Sequence, residues 1–167
     1  SRGLGHGIAT ALAEAGALVT LCARPSADLD EAAAAIRAEH GTAETLALDV
    51  TDTRGFAAAV AALPAFDIFV NNAGTNRPKP LAEVTEDDFD AVMNLNLRAA
   101  VFAAKAVAGT LAASGRGGAI INMSSQMGHV GAADRTLYCA SKWALEGFTK
   151  ALAVELAPAG IRVNSIC

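Results

Sequence analysis

Aromatic residues are scarce in this sequence, at 5%. No apolar run approaches the roughly 20 residues that a membrane-spanning helix needs, and no N-terminal segment joins a basic start, an apolar middle and a small-residue cleavage site. Both absences point to a cytoplasmic protein. Thirteen Lys and Arg against 17 Asp and Glu leave a net charge of −4. No basic cluster is present to follow a phosphate backbone, which argues against nucleic acid as a partner. Cys22, Cys139 and Cys167 are odd in number and far apart, so they give neither a disulfide framework nor a CxxC metal pair. They read as buried small hydrophobes, and no metal site is expected.

A little over half of the chain is apolar, with Ala and Gly abundant. Its 167 residues are enough for one domain with a substantial core. Small residues let helices lie close on a sheet. There is no internal repeat, low-complexity tract or linker, so residues 1–167 read as one domain. The sequence starts at Ser1 within a glycine-rich turn and stops at Cys167 within an apolar strand, a pattern expected of a piece of a longer chain.

Apolar runs of strand length alternate with longer helical patterns, which is the mark of βαβ units and a parallel sheet. Helices are expected over Ile8–Ala15, Ala27–His40, Asp52–Leu63, Glu86–Ala113 (with a kink near Asn96) and Arg135–Leu156. Strands are expected over Ala17–Cys22, Thr45–Val50, Asp67–Asn71, Gly118–Met123 and Ile161–Ile166. Thr85, with Asp88 three residues on, reads as a helix N-cap with an acidic first turn.

Gly3, Gly5 and Gly7 open the first helix. Glycines there let the backbone approach a pyrophosphate, whose charge the helix N-terminus favours. About 20 residues further on, dinucleotide folds place the reader of the adenosine ribose: an acid for NAD, an arginine for NADP. The strand here ends Cys22-Ala23-Arg24, and Arg2 is a second base within the turn. Two guanidinium groups suit a 2′-phosphate, which favours NADP(H) over NAD(H); the competing reading is two solvated arginines. Asp28, the only nearby acid, suits the next helix's N-terminus.

Tyr138 and Lys142 stand four apart on an expected helix and so share a face. An unperturbed tyrosine, with a pKa of about 10, is a poor acid or base at neutral pH. A neighbouring ammonium brings it toward the working range. The strand Gly118–Met123 delivers Ser124 and Ser125 to its carboxyl end, where parallel sheets place ligand sites, and Asn71-Asn72-Ala73-Gly74 follows another strand likewise.

Taken in order, SRGLG, LDV, NNAG, the helix asparagine, NMSS, YCASK and IRVN resemble the short-chain dehydrogenase/reductase family over essentially the whole chain. The resemblance implies a Rossmann-like α/β fold, a doubly wound parallel sheet that here lacks the family's first strand and its C-terminal part. Loss of a central strand would leave two neighbours with unpaired backbone groups, at about 1–3 kcal/mol each, so this segment alone is expected to fold poorly. The implied reaction is hydride transfer between NADP(H) and a secondary alcohol or ketone, the hydride chemistry being the cofactor's.

By the same resemblance Tyr138 is the general acid/base, and Lys142 lowers its pKa and binds the nicotinamide ribose. Ser125 holds the substrate oxygen, while Ser124 is structural. Asn96, rather than Asn94, steadies a water of the proton relay. Cofactor contacts are implied for Arg2, Gly3, Leu4, Gly5 and Arg24; for Asp49 and Val50 beside the adenine; and for Asn72, Ala73, Gly74, Tyr138 and Lys142. The stretch from Asn122 to Lys142 is most similar to reductases of 3-oxoacyl thioesters and of sugar acids, such as gluconate 5-dehydrogenases.

Gln126, Met127 and His129 are expected near the substrate. His129 could bond it or be an ordinary loop residue. Arg77 and Lys79 could favour an anion or simply be solvated; His6 and His40 read as surface residues. The family also implies a homodimer or homotetramer. Two alternatives stay open: a non-catalytic nucleotide-binding sensor on the same fold, and an inactive fragment of the enzyme.

Overall fold

A computed structural model describes residues 3–39 and 41–167. The chain divides into two compact units, residues 1–52 and 53–167. Within each unit the strands are parallel and helices flank them, as expected for a doubly wound Rossmann-like fold.

In the first unit, helix α1 (Leu4–Glu14) leads into strand β1 (Leu18–Ala23), helix α2 (Ala27–Ala38) and strand β2 (Thr42–Ala47). Strands β1 and β2 pair in parallel, from Leu18 opposite Thr42 to Ala23 opposite Ala47. The core joins Ala9 and Ala13 of α1, Leu21 of β1, Leu29, Ala32, Ala33 and Ile36 of α2, and Ala43 of β2. Five of these eight are alanines, which lets the helices lie close on the strands. Strand β2 begins three residues before the expected Thr45 and ends before Asp49. The reason is local: Asp49 Oδ1 accepts both the Thr51 N–H (2.9 Å) and the Thr51 hydroxyl (2.7 Å), a turn that peels the chain off the sheet.

In the second unit, strand β3 (Ile68–Asn71), strand β4 (Gly118–Met123) and strand β5 (Ile161–Ile166) form a sheet with β4 in the middle. Helix α3 (Thr53–Ala61) packs against helix α5 (Ala100–Ser114), and helix α6 (Thr136–Leu156) against β5. Ile120, Leu111, Val107 and Leu145 are almost fully buried here. Each such side chain contributes about 1.5–3 kcal/mol of apolar burial.

Helix α4 (Glu86–Met93) starts on a full capping box: the Thr85 hydroxyl accepts from the Asp88 N–H, and the Asp88 carboxylate accepts from the Thr85 N–H. The kink expected near Asn96 is a π-helical turn over Asn94–Ala99, inserted between α4 and α5. Residues 86–114 thus form one helical stretch, by length and composition apolar enough to cross a membrane, contrary to the run-length reading. In this fold α5 is instead packed against α3, β3 and β4. His6 is half-buried rather than on the surface, and His40 lies outside the described residues.

Candidate active site

The middle strand β4 ends where the backbone carbonyl of Met123 accepts a 2.7 Å hydrogen bond from Lys142 Nζ. Lys142 sits on the buried face of α6, only 5% exposed. That burial lowers the pKa of its ammonium, against the opposing influence of Cys167. Tyr138 lies one turn earlier on α6 and is half-buried, with its ring centre 5.7 Å from Lys142 Nζ. The four-residue spacing thus puts both side chains on one face of α6.

Ser125 follows β4 and is half-buried. Its Oγ accepts the Met127 N–H at 3.1 Å, capping a 3₁₀ turn over Gln126–Gly128. That bond leaves the hydroxyl hydrogen free to donate elsewhere. The turn packs against α6 through Gly128. A Cβ there would come 2.9 Å from Ser124 Oγ, 3.1 Å from Glu146 Cγ and 3.3 Å from the Lys142 carbonyl. Glycine alone allows this close approach, which sets the level of Ser125 against α6.

Asn96 is 1% exposed in the π turn. Its Oδ1 accepts the Thr75 N–H (2.7 Å), and its Nδ2 donates to the Thr75 carbonyl (2.9 Å) and to Ser141 Oγ (3.0 Å). Ser141 Oγ in turn donates to the Tyr138 carbonyl at 2.8 Å. Asn96 therefore clamps the loop after β3 to the turn of α6 that carries Tyr138. A second buried chain runs from Asn71 through Asn122 to Thr149, at 3.1 and 2.9 Å. Neither Ser141 nor the Asn122–Thr149 link was picked out in the sequence. An asparagine inside the apolar run GAIINM was the available signal, since a buried amide must find a partner.

Asn72, Ala73 and Gly74 are exposed on that loop. A Cβ on Gly74 would stand 3.3 Å from Asn96 Oδ1 and 3.8 Å from Lys142 Nζ, so this backbone lies directly over the lysine. In the first unit, Gly3 precedes α1 with φ +68, nothing lies where its Cβ would go, and no side chain caps the helix. Leu4, at 73% exposure, and Gly5 form the open first turn. Arg24 is exposed beyond β1, and Asp49 and Val50 are half-buried beyond β2. Hydrogen bonds from Thr51 hold the Asp49 carboxyl below its usual range, opposed by burial and aided by Arg24. Arg2 lies outside the described residues.

Arg77 and Lys79 stay partly exposed to solvent, and both are paired with one carboxylate. Asp88, 3% exposed, accepts from both, at 3.1 and 2.6 Å. Lys79, Thr85 and Arg77 together hold its carboxyl well below the ordinary range, against the effect of burial. Gln126 is exposed and Met127 half-buried, whereas His129 Nε2 lies 3.1 Å from Cys167 Sγ. Cys22 and Cys139 are half-buried and Cys167 is exposed. The expectation of three buried cysteines is thus met in part at Cys22 and Cys139 and fails at Cys167.

The order of these groups along parallel strands and one long helix matches a family model described as short chain dehydrogenase, over residues 1–167. The chain belongs to the short chain dehydrogenase family. It is similar to L-xylulose reductase from Mesocricetus auratus, at 38% identity over 99% of this chain and 66% of that protein. It is 41% identical to galactitol 2-dehydrogenase from Agrobacterium fabrum, over 99% of this chain and 65% of the relative. Among solved structures, it superposes with a TM-score of 0.90 on a putative 2-deoxy-D-gluconate 3-dehydrogenase from Agrobacterium tumefaciens with bound NADP. That pair is 40% identical, over 99% of this chain and 66% of the other. The chain thus spans slightly less than two thirds of the curated relatives it matches.

Proposed function

We propose that this chain is the cofactor-binding and catalytic part of an NADP(H)-dependent oxidoreductase, acting on a secondary alcohol or ketone of a polyol or sugar-derived substrate. The observation that carries this reading is the buried Lys142 ammonium, fixed by the Met123 carbonyl and facing Tyr138 on one side and the Gly74 backbone on the other. Within the first unit an uncapped glycine-led helix start and an exposed Arg24 suit phosphate groups, and within the second a glycine loop over a lysine suits a ribose hydroxyl.

When bound, the nicotinamide supplies or accepts the hydride. In the reduction direction Tyr138 Oη gives its proton to the carbonyl oxygen, and in oxidation it takes that proton back. The Lys142 charge stabilises the negative charge left on the phenol oxygen. Ser125 donates its free hydroxyl hydrogen to the same substrate oxygen and orients it. Both amide hydrogens of Asn96 are already engaged, so we assign its side chain to positioning. Gly3, Leu4, Gly5, Arg2, Arg24, Asp49 and Val50 are assigned to the adenosine and pyrophosphate, and Asn72, Ala73 and Gly74 to the nicotinamide side.

The names of the two curated relatives favour a polyhydroxylated substrate over an acyl thioester. The ion pairs that Arg77 and Lys79 make with Asp88 weaken the argument for an anionic one. Residues 1–167 are taken as one functional domain of a cytoplasmic homo-oligomer. Phe89, Phe102, Trp143 and Val154, all exposed on the α4–α5 stretch and α6, favour self-association.

The deciding experiment titrates the full-length protein with NADPH and NADH by nicotinamide fluorescence, then screens polyols and ketoses. Tighter NADPH binding that Arg24→Ala abolishes, with turnover that Tyr138→Phe removes, supports the proposal. Equal NADH binding overturns the cofactor preference, and binding of neither overturns the whole reading.

A further inference from the structure

Three donors of different chemistry meet where the loop after β4, helix α6 and the end of β5 come together. His129 Nε2, the Glu146 carboxylate and Cys167 Sγ all lie within 4.8 Å of one another. The imidazole nitrogen and the sulfur are 3.1 Å apart, and the thiol donates to Glu146 Oε1 at 3.4 Å. Nitrogen and sulfur ligands of a tetrahedral zinc ion, at about 2.0 and 2.3 Å from the metal, stand about 3.5 Å apart. Two of the required spacings are therefore nearly met before any ion enters.

The surroundings are those of a built ligand set. Glu146 is 6% exposed. Its other oxygen, Oε2, accepts from Ser165 Oγ at 3.0 Å, which turns Oε1 toward the thiol. An outer hydrogen bond of this kind orients ligating carboxylates in metal sites. The His129 ring packs at a tilt on Trp143, with centroids 6.5 Å apart. His129 and Cys167 are both exposed, which gives an ion a way in and leaves a side open to water. Thiolate, imidazole and carboxylate together suit a borderline-soft ion, whereas calcium and magnesium take oxygen ligands.

We propose that His129, Glu146 and Cys167 form a binding site for a divalent transition-metal ion of the zinc type, with three protein ligands and a fourth position open to water. On binding, the Cys167 thiol gives its proton to solvent and the sulfur–metal bond forms; nothing is oxidised or reduced. Glu146 stands one helical turn beyond Lys142, and Gly128 lies against the Lys142 backbone and the Glu146 side chain. An ion held here fastens the loop carrying Ser125 to α6 and β5. The donors alone carry the site, so it stands or falls apart from the oxidoreductase reading.

The test uses full-length protein stripped with a chelator, then titrated with Co²⁺ by absorption and with Zn²⁺ by calorimetry. One equivalent of Co²⁺ is expected to bind with a thiolate-to-cobalt charge-transfer band that Zn²⁺ displaces. Cys167→Ser and His129→Gln each abolish the band while circular dichroism is unchanged, and Cys139→Ser leaves it intact. Ser165→Ala, which removes only the outer hydrogen bond, weakens Zn²⁺ binding about 10–100-fold. No band at all, or a band that survives Cys167→Ser, overturns the site. A band that survives His129→Gln reduces it to a lone thiol and also overturns it.

Discussion

Lys142 donates to the Met123 carbonyl at 2.7 Å, so the end of the middle strand, rather than another side chain, holds the ammonium that faces Tyr138. Backbone anchoring of this kind leaves Tyr138 to act without losing its charged neighbour. Tyr138→Phe is expected to lower turnover by about 10²–10⁴-fold, the usual worth of a positioned acid/base. NADPH binding, followed by fluorescence, is expected to stay within about twofold, because the phenylalanine keeps the ring.

Asn96 makes three side-chain bonds in a dry site. Asn96→Leu strips them away and leaves the Thr75 backbone unpaired, at a cost of about 1–3 kcal/mol per buried group. A drop of several degrees in Tm is expected by calorimetry. An unchanged Tm would remove the clamp from the account.

Gly128→Ala puts a methyl group 2.9 Å from Ser124 Oγ and 3.1 Å from Glu146 Cγ. Overpacking of this kind costs about 1–3 kcal/mol. Because the turn also carries Ser125, kcat should fall further than stability alone explains. Gly131→Ala, where the added methyl meets open space, is the control and should be nearly silent in both measurements.

Asp88 is held below the ordinary carboxyl value of 3.8 first by Lys79, then by Thr85 and Arg77. A depressed carboxylate stabilises the fold above its unfolded pKa, and that contribution is lost as pH falls through the folded value. Asp88→Asn should therefore lower Tm at pH 7. The gap between the two proteins should close only well below pH 3.8. Melting curves from pH 7 down to pH 2 test this, and a gap that fails to narrow below pH 3.8 would count against it.

The Cys22 thiol is pushed up to about 11, first by burial and then by Asp49. Thiolate is the reactive form. In chelator-stripped protein, disulfide-exchange labelling at pH 8 should find the exposed Cys167 fast and Cys22 slow, read by mass spectrometry of the labelled peptides.

What was legible in the sequence was whatever depends on near neighbours. Gly118–Met123 and Ile161–Ile166 have the boundaries that their apolar runs suggested, and the Thr85–Asp88 box forms within three residues. Tyr138 and Lys142 could be paired because a helix fixes residues four apart. Strand β2 slipped, because Thr42-Ala43-Glu44 carries no apolar run and only pairing with β1 holds it extended. The Asn96 clamp was beyond reach, since its partners are 21 and 45 residues away. His129 and Cys167, 38 residues apart, show no ligand spacing along the chain and meet only through the sheet. The family's order of motifs made the site nameable, but it was silent on which hydrogen bonds hold that site rigid.

The π turn over Asn94–Ala99 has a geometric consequence for the long helical stretch around it. Asp88, Val92, Asn96, Ala100, Ala104 and Ala108 are all buried and fall strictly every fourth residue. In an unbroken α-helix each four-residue step overruns a full turn by about 40°, so such a row would wind away from the core and out toward solvent. A wider turn in the middle takes back part of that drift and works as a phase correction. Deleting one residue from the turn would cancel the correction, rotating α5 by about 100° relative to α4 and turning Asn96 and the alanine row out of step with each other.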